Sequence, residues 1–148
     1  MLSKACTYGI HAMIYVAMNK QEGVNMPISK IADDLHIPFH FLKKILQSLG
    51  ENGLLRTQRS AKGGVSLAKD ASEISIYDII KVLDGDAMFH QCILGLHGCG
   101  EQTPCAMHAG WATERTRLRI LFETTTLKDA SAKIKRFDLR FGLEKVEE

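Results

Sequence analysis

Two prolines constrain this chain more than any other residues. Pro27 and Pro38 each head a short run of periodic apolar residues. Proline suits a helix's first turn because its ring presets φ and its missing N–H would have no intrahelical partner there. The first run carries Ile31, Ala32 and Leu35 and closes at His36-Ile37; the second carries Leu42, Ile45, Leu46 and Leu49 and closes at Asn52-Gly53. A tight turn between them needs a residue tolerant of positive φ, and histidine is among the few non-glycine residues enriched in such conformations. Two short helices joined in this way predict a helix-turn-helix.

On the outward face of the second helix, His40, Lys43, Lys44 and Gln47 fall at i, i+3, i+4 and i+7 and form one polar, basic stripe. All four can donate hydrogen bonds to base edges or phosphates, although an isolated helix often carries such a stripe merely as its solvated face. The residues after this helix tip the balance. "LLRTQ" (54–58) and "VSLA" (65–68) read as short strands, and "RSAKGG" between them supplies a glycine-ended hairpin loop bearing Arg59 and Lys62. A helix-turn-helix with a basic hairpin directly after it predicts a winged helix, with its recognition helix in the major groove and Arg59 offered to a phosphate or a narrow minor groove. Charge agrees: residues 1–69 carry nine Lys/Arg against four Asp/Glu, whereas residues 70–148 carry ten against thirteen, so a polyanion is expected at the first half.

The rest of the chain is arranged around this unit. Residues 4–19 read as a helix, with Cys6, Ile10, Met13, Ile14 and Ala17 on one face and Tyr8, Ala12 and Tyr15 on a second apolar face, so it is expected to be covered on two sides. The segment lacks a small-residue cleavage site and reads as a mature helix rather than a signal peptide. No apolar run approaches the roughly 18 residues that a membrane span needs; a cytoplasmic protein is expected. Residues 75–84 form a helix in which Ser75 and Asp78 resemble a capping box, with Gly85 as its stop.

A longer helix over 106 to about 123 places Met107, Trp111, Leu118, Leu121 and Phe122 on one face, interrupted by Glu114 and Arg115. An arm of this kind suggests a dimer interface. "TTTLKDASAKI" reads as a short closing helix. The expected organisation is a winged helix-turn-helix over 1–85, a cysteine-bearing loop over 86–108, the dimerisation and closing helices over 106–136, and a charged tail over 137–148. The fold class is mainly α, with a small β-hairpin wing and a long C-terminal dimerisation helix.

The segment "CILGLHGCGEQTPCAMH" (92–108) carries Cys92, Cys99, Cys105 and His108 among three glycines and a proline that keep it irregular. A reducing compartment disfavours a structural disulfide, and three cysteines cannot pair off among themselves. Cys3His suits zinc, whose structural sites usually show a closer cysteine pair than any here; iron–sulfur clusters are held chiefly by thiolates, sometimes with histidine. Spacing alone leaves both open. Cys6, among apolar helix positions, reads as a buried, inert thiol, and His11, His90 and His97 have weak claims as ligands. An enzyme using these cysteines as nucleophiles is disfavoured by the lack of a close pair and of an evident acid–base partnership.

The stretches "TYGIHAMIYVA", "ISKIADDLHIPFHFLKKILQSLGENGLL" and "GGVSLAKDASEISIYDIIKVLDG", with the three cysteines after them, together make the chain resemble the Rrf-two type of bacterial winged-helix transcription regulators over nearly its whole length. The resemblance implies a homodimer that binds a palindromic operator in double-stranded DNA and senses redox state, nitric oxide or iron–sulfur supply through a 2Fe-2S or 4Fe-4S cluster. By position, His40, Lys43 and Lys44 occupy recognition-helix places, and Arg59 matches the wing arginine. Cys92, Cys99 and Cys105 match the cluster ligands, and His108 stands where some members supply a fourth. A zinc-stabilised or metal-free DNA-binding protein without cluster sensing is the alternative. The chain departs from the family in places. Its cysteine gaps are six and five residues rather than five and five, Thr7 stands where some sensors have a carboxylate ligand, and His36 replaces a turn glycine. Lys43 replaces an acidic residue of one member, so operator preference is this chain's own.

Overall fold

A computed structural model describes residues 1–137; the charged tail expected over 137–148 lies, apart from Phe137, outside the described residues. Six helices, α1 (Lys4–Met18), α2 (Ile28–Leu35), α3 (Phe39–Glu51), α4 (Ile76–Leu83), α5 (His108–Thr124) and α6 (Leu127–Phe137), surround one hydrophobic core with a two-stranded hairpin, β1 (Leu55–Gln58) and β2 (Gly64–Leu67), at its edge. The chain is mainly α with a winged helix-turn-helix, as its pattern predicts.

The helix α1 starts where the Ser3 hydroxyl accepts a hydrogen bond from the Cys6 N–H at 3.0 Å, satisfying one of the four donors that a helix leaves unpaired at its start. It is buried on two sides, through Cys6, Ala12, Met13 and Val16 among others. Gly9 allows the close approach of α3 and α4: a Cβ there would lie 2.3 Å from Leu83 Cδ1 and 3.2 Å from Ile45 Cγ2. The Tyr15 hydroxyl donates to Asp34 of α2, which also pairs with Lys30 at 2.9 Å.

The turn between α2 and α3 has the geometry expected. His36 adopts φ 54° in the left-handed region and its N–H reaches back to carbonyls at the end of α2. Pro38 occupies the N-cap position of α3, and Leu42, Ile45, Leu46 and Leu49 are buried. The strands pair antiparallel, with Leu55 opposite Leu67 and Gln58 opposite Gly64. A third chain segment joins this edge, since Met26 and Val65 exchange two 2.8 Å hydrogen bonds.

Ser75 and Asp78 form the expected capping box at α4. Thr126 and Asp129 repeat the device at α6. Backbone hydrogen bonds from Ile76 to Thr125 and from Leu127 to Ile74, each 2.9 Å, tie the two helix starts together. Leu127 is fully buried and the Lys135 ammonium donates to the Met18 carbonyl at 3.0 Å, so α6 folds back onto α1. Helix α5 differs from its sequence reading. It begins at His108 rather than 106, and its apolar face splits: Leu118 and Phe122 pack on the core, while Leu121 is 55% exposed beside Ile120 at 53%. Only one edge of the helix meets the body, so Leu121, about a quarter-turn away, and Ile120, on the opposite side, stay in solvent.

Gly64, at φ +150°, sits where a Cβ would lie 2.2 Å from the Met26 carbonyl oxygen that Val65 uses. We predict that Gly64→Ala lowers the unfolding free energy by roughly 1–3 kcal/mol, the usual cost of overpacking, measured by urea denaturation. An unchanged midpoint would show that the wing is not anchored through this bridge.

Candidate nucleic-acid interface and metal centre

Because α3 buries Leu42, Ile45, Leu46 and Leu49, its opposite residues must face outward. His40, Lys43, Lys44 and Gln47 are all exposed, as are Arg59 and Lys62 of the wing. A groove of about 390 Å³ between the start of α2, the wing and α3 is lined by Lys43, Gln47 and Arg59 together with Phe39, Ile28 and Gly63. Lys62 lines an adjoining depression with Val24 and Asn25, which shares Pro27, Gln58 and Gly63 with the groove. The Gln47 amide donates to Glu51 at 3.0 Å, so one of its donors is already engaged. Phe39 escapes the sequence reading. The signal was available, since Phe39, Lys43 and Gln47 fall at i, i+4 and i+8, off the face that Leu42 and Leu46 bury.

The cysteine segment leaves the body at Phe89, which is buried against Tyr77 of α4 and Phe122 of α5 with ring centroids 5.3 and 6.1 Å away. Two side chains of α5 hold the next carbonyls: Trp111 Nε1 donates to Gln91 O at 2.9 Å, and Arg115 donates to His90 O at 2.9 Å and Gln91 O at 3.3 Å. Arg115, which interrupts the apolar face in sequence, thereby serves as a clamp just before Cys92. Gly95 and Gly98 then reverse the chain with φ values of 67° and 72°, positions that cost other residues a clash with their Cβ. As a result the sulfurs of Cys92, Cys99 and Cys105 all lie within 4.8 Å of one another. Cys92 and Cys105 are 3.6 Å apart, and Cys99 Sγ lies 3.4 Å from His108 Nδ1 at the first residue of α5. All three are unpaired by disulfides and partly exposed. Three convergent thiols with an imidazole alongside suit a thiophilic metal or an iron–sulfur cluster.

The remaining histidines stand apart from this triad: His97 is exposed, His90 pairs with Asp86 at 3.4 Å, and burial lowers the pKa of His11.

Cys92, Cys99 and Cys6 differ in acidity through their surroundings. The Leu96 backbone N–H brings the Cys92 thiol down to about 7 against the opposing effect of desolvation, helped by the Leu94 N–H and the neighbouring thiols. For Cys99 the Cys105 N–H acts downward, but desolvation and the other two thiols outweigh it and raise the value. Burial, with Asp84 nearby, pushes Cys6 up to about 12. The thiolate is the reactive form, so in metal-free protein Cys92 should alkylate with iodoacetamide half-maximally near pH 7, Cys99 only at higher pH, and Cys6 not at all up to pH ~9. Peptide mass spectrometry across pH reads this directly; equal labelling of Cys6 and Cys92 at pH ~8 would contradict it.

Comparison with known proteins places this architecture. The model of the Rrf2 family, iron-dependent transcriptional regulators, matches residues 2–133. The HTH-type transcriptional regulator IscR of Escherichia coli (strain K12 / DH10B) is 32% identical over 120 residues, covering 81% of this chain and 73% of the relative. Among solved structures, CymR, the global cysteine regulator of B. subtilis, matches with a TM-score of 0.77 at 26% identity, covering 89% of this chain and 96% of that one. The oxidized form of Staphylococcus aureus CymR matches with a TM-score of 0.71 at 30% identity, covering 88% and 95%. These relatives are transcription regulators, not enzymes. With the winged helix, the basic face and the family match over nearly the whole described chain, this protein belongs to the Rrf2 family of transcription regulators.

Proposed function

We propose that this regulator acts as a homodimer on a palindromic operator, reading DNA with His40, Lys43, Lys44, Gln47, Arg59 and Lys62, and that an iron–sulfur cluster held by Cys92, Cys99 and Cys105 sets its affinity. The observation that carries the proposal is the convergence of three free thiols within 4.8 Å on a loop clamped to α5. His108, beside Cys99, is the candidate fourth ligand. A cluster seated there supplies a centre reactive toward oxygen and nitric oxide.

The chain's own residues supply the coupling. Tethered thiolates order the loop, and Trp111 and Arg115 link the loop's entry to α5. The exposed Ile120 and Leu121 of α5 offer an apolar face to a second copy, whose position fixes the spacing of the two recognition helices. A ligand shifts such an equilibrium only by the difference in its affinity for the two arrangements. The alternative reading, a zinc-stabilised DNA-binding protein, draws support from the same Cys3His set.

Anaerobic purification, visible absorption, and iron, sulfide and zinc analysis test the proposal. A brown protein with matched iron and sulfide is the expected result; a colourless zinc protein, or one that takes up no metal even on reconstitution, removes the sensing mechanism. Lys43→Ala or Lys44→Ala should weaken operator binding roughly tenfold, the order of a lost base or phosphate contact. Cys99→Ala should leave DNA binding indifferent to cluster assembly. Unchanged gel-shift affinity in both lysine variants would overturn the recognition-helix assignment.

A further inference from the structure

The aromatic residue at the head of the recognition helix is out of place among its neighbours. Phe39 is the first residue of α3 and is 40% exposed. It lines the groove that also holds Lys43, Gln47 and Arg59. Phe41, also partly exposed, is accounted for within the chain, since its ring meets Tyr8 of α1 edge-on at 5.7 Å. Among the described residues, the ring of Phe39 meets no aromatic partner in the core; it stands edge-on to His40 at 5.4 Å, on the same exposed surface. A phenyl ring can neither pair with a phosphate nor hydrogen-bond a base edge, so the cations beside it do not explain it.

One apolar group does present itself in the major groove of DNA: the C5-methyl of thymine, which the other three bases lack. The N-terminal residues of a recognition helix are those that reach base edges. We infer that Phe39 is a specificity-determining residue that packs on the thymine methyl of one base pair in each operator half-site. The inference rests on the DNA-binding reading proposed above. It adds an apolar contact to a face otherwise made of hydrogen-bond donors, and it lets this chain prefer a sequence that lysines alone would not select.

The test begins with selection of binding sequences from a random DNA pool by the full chain. Each thymine of the recovered site is then replaced singly by deoxyuridine, which removes only the methyl, and binding is followed by fluorescence anisotropy for the wild type, Phe39→Ala and Phe39→Leu. One thymine per half-site should cost the wild type about fourfold on losing its methyl, the order expected for one buried methyl group, and 5-bromouracil at that position should restore binding. Phe39→Ala should bind the parent site more weakly and show no penalty at that position, while Phe39→Leu keeps part of it. The exposed position leaves the fold intact, which circular dichroism checks. A flat deoxyuridine profile in the wild type, or the same penalty in Phe39→Ala, overturns the inference while leaving the DNA-binding reading in place; the flat profile with weakened Phe39→Ala binding points to a ring wedged between base steps instead. Failure to recover any preferred sequence overturns the DNA-binding reading, and this inference with it.

Discussion

The approach of α3 and α4 to α1 at Gly9 is the constraint on which the rest of the molecule depends. The helix α1 runs through the body rather than over it, and the absence of a side chain at Gly9 lets Ile45 of α3 and Leu83 of α4 close on it. The recognition helix thereby takes its direction from a close-packed interior, which transmits strain. The α6 helix closes the other side of α1 through Leu127 and Lys135. The basic face of α3 is as firmly aimed as the core beneath it, and the wing gains similar support from the Met26–Val65 exchange.

The cysteine loop draws on the same core at its base and on solvent at its tip. Phe89 sits between Tyr77 and Phe122, so the last residue before the loop's polar entry is part of the α4–α5 packing. Trp111 and Arg115 then bind two successive carbonyls that no regular element satisfies. Beyond them Ile93, Leu94 and Leu96 are exposed. A change in how the three sulfurs are held reaches the body through α5, by the clamp at the loop's entry and by His108 at its exit. The α4 helix, which packs on both α5 and α1, extends this connection toward the recognition helix.

Much of this was legible in the sequence because the relevant signals are local. Proline at the starts of α2 and α3, histidine at the left-handed turn between them and the Ser75–Asp78 box specify their elements from within a few residues. The inward face of α3 is set by its period, and the exposed basic stripe by elimination. What was not legible depends on distant partners. The split of the α5 face reflects which edge meets Phe89 and the core, a fact that no period encodes. The second capping box, Thr126–Asp129, was there to be found, but the role of Arg115 was hidden because its acceptors are backbone carbonyls more than twenty residues earlier. The three cysteines were readable as a candidate ligand set, whereas their geometry depends on Gly95 and Gly98 turning the chain and on His108 opening α5 beside Cys99.

The helix α5 raises a question of stability that bears on the sensing reading. It has no fully buried residue, and its ion pairs, Arg117–Glu114 and Arg119–Glu123, lie on the surface, where such pairs contribute little. Isolated helices near this length are marginal in water, and here only one edge, Leu118 and Phe122, rests on the body. Ile120 and Leu121 remain in solvent, and covering them with the same face of a second copy would bury apolar surface on both chains at once. The clamp that holds the cysteine loop is built on this helix. In the proposed homodimer, the firmness with which Trp111 and Arg115 grip the loop therefore depends on the interface, so whatever steadies the sulfurs also steadies the dimer, and the coupling runs equally in the other direction.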